Sequence, residues 1–367
     1  MEHDECTRCG EQVPALRFCV CCGESLVPDE RLRRFAAAPH ERRALPHVVS
    51  TIFPHLPRSE MRAFRLALVL ALGGIVVVGW LGLYSVAVVL CAATLPILLL
   101  VYLYDVDVYE SHPLPVLGFT VLWGVAVGVL GALVLRALAP SATETAIEGG
   151  GSLATVLVPL CAFFVAVLGT VLVLLPYAHF NDLLDGTTFG AVSASFASSA
   201  QMVVLALPFF SEGISPLGAT APWLLRLVEL AVAVPLLWAA LGATVSGSFW
   251  LRYRTSQFVR GTVGALGSPL VAIPVAAAIL LCVVVARLEL PRWASAATLL
   301  VAVVIALLHL RRLIHSGLVN EALEAPIGPE VACTNCQSHT PSHLFCGTCG
   351  VARRALPKGI RDVLPVR

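Results

Sequence analysis

Charge is scarce in this chain. Asp, Glu, Lys and Arg make up 13% of its 367 residues, about half of the share usual in soluble domains. Lysine is nearly missing: Lys358 is the single copy, and arginine carries the rest of the positive charge. With a net charge of +1 there is no broad basic field to grip phosphates, so nucleic acid is not an expected partner. No charged side chain occurs from Leu66 to Tyr104, and no Asp, Glu or Lys from Leu153 to Phe180. Those stretches exclude a solvated surface and a carboxylate or amine chemistry within them. No secretory signal pattern is expected either: the first 60 residues are polar and cysteine-bearing, and the first apolar run begins near Leu66.

What remains is apolar. Hydrophobic residues make up 58% of the chain, and mean hydropathy is +0.86. A bilayer-spanning helix needs about 20 apolar residues. Leu66–Tyr104 is long enough for two, with a turn near Gly82–Ser85. Further spans are expected over Leu114–Ala139, Leu153–Leu175, Phe189–Phe210, Trp223–Trp250, Gly264–Ala286 and Ala294–Leu310. The expected fold class is an all-α polytopic membrane protein of about eight transmembrane helices, flanked by two small zinc ribbons. An even number of spans places both termini on one side. Arginines at 58, 62, 65, 252, 254, 260, 311 and 312 fall on that side, against 136, 226, 287 and 292 opposite, and the positive-inside rule makes it cytosolic. The expected location is the plasma (inner) membrane, with the lipid bilayer as one partner.

The ribbons come from a repeated cysteine frame: Cys6, Cys9, Cys19, Cys22 near one end and Cys333, Cys336, Cys346, Cys349 near the other. Each has two C-x2-C pairs nine residues apart, with Phe before the third cysteine (Phe18, Phe345) and Gly after the fourth (Gly23, Gly350). Four thiolates suit a closed, tetrahedral structural Zn²⁺ with no open position for catalysis, so two structural zinc ions are expected. A module of about 20 residues buries too little to fold without such help. Thiols that hold metal stay reduced, which also points to the cytosol. Disulfide pairing, or an iron–sulfur centre on the same thiols, is the alternative. Gly10, Gly23 and Gly350 allow the tight backbone reversal after a knuckle, where Gln337 is a departure. Cys21 reads as a spare, and His3, His339 and His343 are not needed as ligands. The acidic balance of the first ribbon (Glu2, Asp4, Glu5, Glu11, Glu24 against Arg8, Arg17) points to protein partners rather than phosphate. The ribbons also have the option of pairing with each other.

The expected layout is a ribbon over 1–27, a basic linker over 28–62, the helical domain over 63–315, a linker over 316–331, a ribbon over 332–352 and a basic tail over 353–367. Within the helical domain, Arg226 and Glu229 sit three apart and read as an interfacial pair on one helix. Gly190, Ala194, Ser198 and Ala191, Ser195, Ser199 repeat at i+4 spacing, which lets helix backbones approach closely. No base neighbours the serines, so packing is their expected role.

Two segments carry a resemblance. Tyr104-Asp-Val-Asp-Val-Tyr-Glu-Ser-His-Pro113 leads to Phe119 and Trp123-Gly124, and Phe180-Asn-Asp-Leu-Leu-Asp-Gly186 leads to Phe189-Gly190-Ala191 and Ser195-Phe196-Ala197. In order and spacing they resemble the PrsW family of intramembrane metalloproteases over roughly residues 95–250. That family has a Glu-Glu-x-x-x-Lys motif after a proline, a Glu-Asn pair and a later intramembrane His. The matching places here hold Pro159 followed by apolar residues, Ala200-Gln201 and Pro235. The resemblance therefore implies the scaffold without its catalytic groups, with no catalytic residue and no cofactor beyond zinc. The expected function is a non-catalytic membrane scaffold that binds protein partners through its ribbons. Two other readings are an intramembrane metalloprotease with an active site relocated among Asp105, Asp107, Glu110, Asp182, Asp185, His112 and His179, and a transporter. The acidic residues have a plainer expected role as helix caps.

Overall fold

The computed structural model describes residues 3–26, 62–81, 83–106, 114–139, 153–177, 179–180, 182–207, 229–255, 263–324, 326–333 and 335–353. Among the described residues, eight apolar α-helices lie between two small β modules: α1 Arg62–Trp80, α2 Tyr84–Val106, α3 Leu114–Leu138, α4 Leu153–Leu174, α5 Leu183–Ala206, α6 Val234–Tyr253, α7 Pro269–Glu289 and α8 Arg292–Glu324. Seven, α2 to α8, are long and apolar enough to cross a membrane. Helix α1 is 19 residues long, with Arg62 and Arg65 in its first turn, and its apolar stretch within the described residues is Leu66–Trp80. Among the described residues, then, seven of the eight expected spans are long apolar helices, and α1 stands where the first was expected.

The helices alternate in direction. Val171 and Leu174 of α4, Leu183 and Phe189 of α5, Trp250 and Leu251 of α6 and Leu313 of α8 share one cluster, which Val116 and Phe119 of α3 join. At the other end, Leu135 and Ala139 at the end of α3 meet Ala154 and Val158 of α4 and Leu205 of α5. There too Arg287, near the end of α7, pairs with Glu229 at 3.2 Å. Glu229 thus reaches a neighbouring helix; its expected partner Arg226 lies outside the described residues.

The middle of the bundle is α6, whose buried face is nearly complete from Val234 to Leu251. Phe163 of α4 meets Trp238 edge to face at 5.4 Å there. Helices α5 and α6 cross where both lack side chains. A Cβ on Gly190 would stand 2.3 Å from the Gly242 carbonyl oxygen, and one on Gly242 would stand 2.5 Å from that of Gly190. Helix α3 crosses α5 in the same way, with Gly124 against Ser193 and Gly128 against Ala197. Lipid offers apolar side chains as good a home as protein does, so close backbone packing has to select partners. Ser195 and Ser198 bond within α5, to the Val192 carbonyl at 3.0 Å and that of Ser195 at 2.9 Å, while Ser193 donates across to the Ala166 carbonyl of α4 at 2.8 Å.

Several expected boundaries move. Helix α5 begins at Leu183, not Phe189, because Asp185 reaches back to accept the Asp182 amide at 3.1 Å and caps the helix start. Helix α6 follows a π-helical turn over Glu229–Ala233, and residues 223–228 of its expected start lie outside the described residues. A 3-10 turn over Gly264–Gly267 precedes α7. The largest change is at α8, which continues through Glu324 where a linker was expected from 316. At 1.5 Å per residue its 33 residues extend about 50 Å, well beyond a hydrocarbon core of about 30 Å. Val319, Ala322 and Leu323 recur at helical spacing and are covered by the ribbons, which keeps that stretch helical.

Candidate metal centres

The first ribbon opens with β1 His3–Glu5 paired antiparallel with β2 Gln12–Pro14, and the second with β3 Glu330–Ala332 paired with β4 His339–Pro341. The two are one design repeated 327 positions apart, as Cys6 is from Cys333. His3 faces Pro14 as Glu330 faces Pro341, and the bridge Phe18–Ser25 recurs as Phe345–Ala352. The second unit is longer than expected. Gly328 donates to the Ser342 carbonyl at 2.8 Å, and Arg353, expected in the basic tail, is buried. Its guanidinium donates to the Thr340 hydroxyl and to the carbonyls of Thr340 and Pro341. Residues 354–367, like 27–61, lie outside the described residues.

In each knuckle a backbone amide closes on the first cysteine: Gly10 N–H donates to the Cys6 carbonyl, Gly23 to Cys19, Gln337 to Cys333 and Gly350 to Cys346. All four have positive φ, between 63° and 74°. Gln337 accepts the left-handed conformation that glycine adopts freely, which costs about 1–2 kcal/mol.

The sulfurs gather as the frames imply. Cys6 and Cys22 are 3.6 Å apart, Cys9 and Cys19 3.7 Å, Cys333 and Cys349 3.9 Å, Cys336 and Cys346 3.8 Å. A disulfide needs about 2.05 Å, and none of the cysteines is bonded to another. Four sulfurs at about 2.3 Å from one central ion would stand about 3.8 Å apart, so both cages fit a tetrahedral dication. Among the described residues these two sets are the groups of Cys, His, Asp and Glu able to hold a metal ion.

The thiols themselves call for a cation. Hydrogen bonds from Cys21 and then Cys22 lower Cys19 to about 2, and hydrogen bonding with Cys333 is the main cause that holds Cys346 far below the usual thiol range. Their neighbours move the other way. Burial pushes Cys9 up to about 12, the bond to Cys346 pushes Cys333 up to about 11, and bonds to Cys19 and Cys333 raise Cys22 and Cys349. Within each cage neighbouring thiols thus shift in opposite directions, and a positive ion between them would favour the ionised form of the raised ones. Cys21 is more than a spare: it is buried and its thiol bonds to Cys19, although it lies outside the ligand set.

The ribbons pair. Phe18 N–H donates to the Gly347 carbonyl at 2.8 Å, and Phe345 N–H donates to the Val20 carbonyl at 3.0 Å. Phe345 corresponds to Phe18, and Gly347 to Val20, so the two bonds are related by a local twofold axis. Leu16 packs on Gly347 and the Phe18 ring on Gly350. The pair then seats on the bundle. Cys6, Val13, Val20, Leu344 and Phe345 join Leu184 of α5 and Val319 and Ala322 of α8 in one cluster, with Tyr102 of α2 at its edge. His315 of α8 lies 6.1 Å from the Phe345 ring.

The junction residues Leu16, Val20 and Gly347, and Arg353 inside the second ribbon, did not stand out in the sequence. A usable signal was present. The chain around each third cysteine (Phe18, Val20, Leu344, Phe345) is more apolar than a lone 20-residue module has means to cover.

Of the residues named for a relocated site, Asp107, Glu110 and His112 lie outside the described residues, and Asp105 falls in the last turn of α2. Asp182 and Asp185 take part in the start of α5, and the His179 ring stacks edge-on against Phe180 at 5.4 Å. Gln201, where the PrsW pattern has its Glu-Asn, is buried beside Gly131. Comparison with protein-family models, with curated proteins and with solved structures gives no match to this chain.

Proposed function

We propose that the protein is a non-catalytic integral membrane scaffold of eight spans, PrsW-like in its helical core, that recruits protein partners through a zinc-held pair of cytosolic ribbons. The observation that carries this reading is the seating of both four-cysteine modules, paired, on one end of an alternating helical bundle. Zinc is favoured over other ions because all four donors are thiolates in a closed tetrahedral cage. Reduced thiols and the arginine bias favour the cytosol for that end. Helix α1, 19 residues long, counts as a span because roughly 17–25 residues suffice to cross a bilayer, and arginines in a first turn can snorkel to the interface.

Pairing uses the Phe18 and Phe345 faces and leaves the outer edge of the first ribbon uncovered. Asp4, Glu5 and Glu11 are exposed there. A protein with a basic docking face is the partner this edge fits. The helical core supplies no obvious hydrolytic machinery at the places where the PrsW pattern has it, since Gln201 and Pro235 stand in for acid and imidazole.

Metal analysis of the purified chain should find two zinc ions. Co-purification with the intact chain, compared with a chain lacking both ribbons, should yield proteins that depend on the ribbons. The non-catalytic reading fails if zinc-loaded protein reproducibly cleaves membrane-anchored substrates and a chelator stops it.

A further inference from the structure

We infer that the two metal centres act as one cooperative unit, so that an ion in either cage raises the affinity of the other. The inference rests on the zinc reading above and goes beyond it, because two cages on separate ribbons would ordinarily load independently.

The argument lies in where the pairing bonds fall. Phe18 and Val20 flank the ligand Cys19, and Phe345 and Gly347 flank the ligand Cys346. The two inter-ribbon bonds therefore join the chain on either side of one third ligand to the chain on either side of the other. Each cage holds in place a backbone segment that the other ribbon needs as donor and acceptor. Phe345 and Val20 are fully buried and Phe18 nearly so, and little of this junction can turn to water instead. An empty first cage leaves a module of about 20 residues without the ion that ties its four thiols, and so its ligand loop, together. Its collapse would strip the Phe345 amide and the Gly347 carbonyl of partners and uncover the apolar contacts of Leu16 and Phe18. The second cage would then bind its ion while its own ligand loop is unsupported. Reciprocal linkage makes the coupling between the two ions equal in both directions.

The test is a chelator titration of the full-length, zinc-loaded chain in detergent, with zinc release followed by a metal-sensitive dye. In the variant Cys6→Ser with Cys9→Ser, the ion left on the second ribbon should bind at least about tenfold more weakly than in the wild type. The variant Cys333→Ser with Cys336→Ser should weaken the first site by the same factor. Gly347→Val keeps every ligand and drives a side chain into Leu16, where a Cβ already approaches to 2.3 Å. It should weaken both sites, and adding Leu16→Ala should restore them. Two ions released independently in the wild type, or a remaining ion held at wild-type affinity in the cysteine variants, would overturn the coupling alone. A wild-type chain that takes up no zinc would overturn the zinc reading and the coupling together.

Discussion

In the bundle, α5 and α6 meet where Gly190 and Gly242 leave nothing between two backbones. In the ribbon pair, the backbones beside Cys19 and Cys346 meet through hydrogen bonds, with a thiol cage behind each. The first contact is made by removing side chains and the second by adding ligands. The difference follows from the surroundings. In lipid, backbone polar groups are satisfied within each helix, so helices gain by fitting closely. In water, a strand pair of three residues has no such internal guarantee and needs an external anchor.

Metal removal should separate the two regions most sharply. Structural zinc contributes about 10–16 kcal/mol to small ribbons, so chelation should abolish the ribbon fold. Helical circular dichroism of the bundle should stay close to its original value. Loss of the helical signal at the same chelator concentration would break the comparison. Acid should act in the same direction. Metal binding needs ionised thiols, and Cys9 and Cys22 in one cage and Cys333 and Cys349 in the other are raised above their ordinary values. Each ion must displace at least two protons near neutrality. Zinc affinity should therefore fall about a hundredfold or more for each pH unit of acidification, measurable by competition with a chromophoric chelator.

A smaller effect is expected from overfilling the bundle. Gly242→Leu places a branched side chain on the Gly190 backbone and should cost about 3 kcal/mol in unfolding measurements made in micelles. Gly73→Ala on α1, with nothing within 4 Å of its Cβ position, should be neutral or gain up to about 1 kcal/mol. Equal losses at both positions would sink the claim that close approach organises the core. Next in size is Trp250→Phe. It removes the indole N–H bond to the Phe180 carbonyl, 3.1 Å long and buried at the ribbon end of the bundle, for about 2 kcal/mol by the same assay. Smallest is Gln337→Gly, which relieves a left-handed backbone and should strengthen zinc retention in the second ribbon by about 1 kcal/mol. A loss there would mean that the Gln337 side chain does more than tolerate its turn.

Much of this architecture was legible in the chain. Long uncharged runs announced the helices, because a bilayer admits little else. The cysteine spacing picked out the eight thiols that gather into two metal-sized cages, because a C-x2-C knuckle and its following turn are local. The break between α1 and α2 fell where expected, with Leu83 bonded back to Val78. Misreadings arose where partners distant in sequence decided the outcome. Ser316–Glu324 is polar enough to pass for a linker, yet the ribbons cover Val319 and Ala322 and keep the helix going. Glu229 also reaches a partner that local spacing could not point to, Arg287, 58 residues on. Arg353 looked like tail and is a buried donor of the second ribbon.

The sequence by itself determined which parts of this protein are apolar helix and which are metal-ready knuckles, since hydropathy and ligand spacing act over a few turns of chain. Tertiary structure alone decided that the two ends meet. Nothing within either ribbon specifies Phe18 for Gly347 or Phe345 for Val20. Those bonds exist because the alternating bundle returns both termini to one end and lets two halves of a twofold junction find each other.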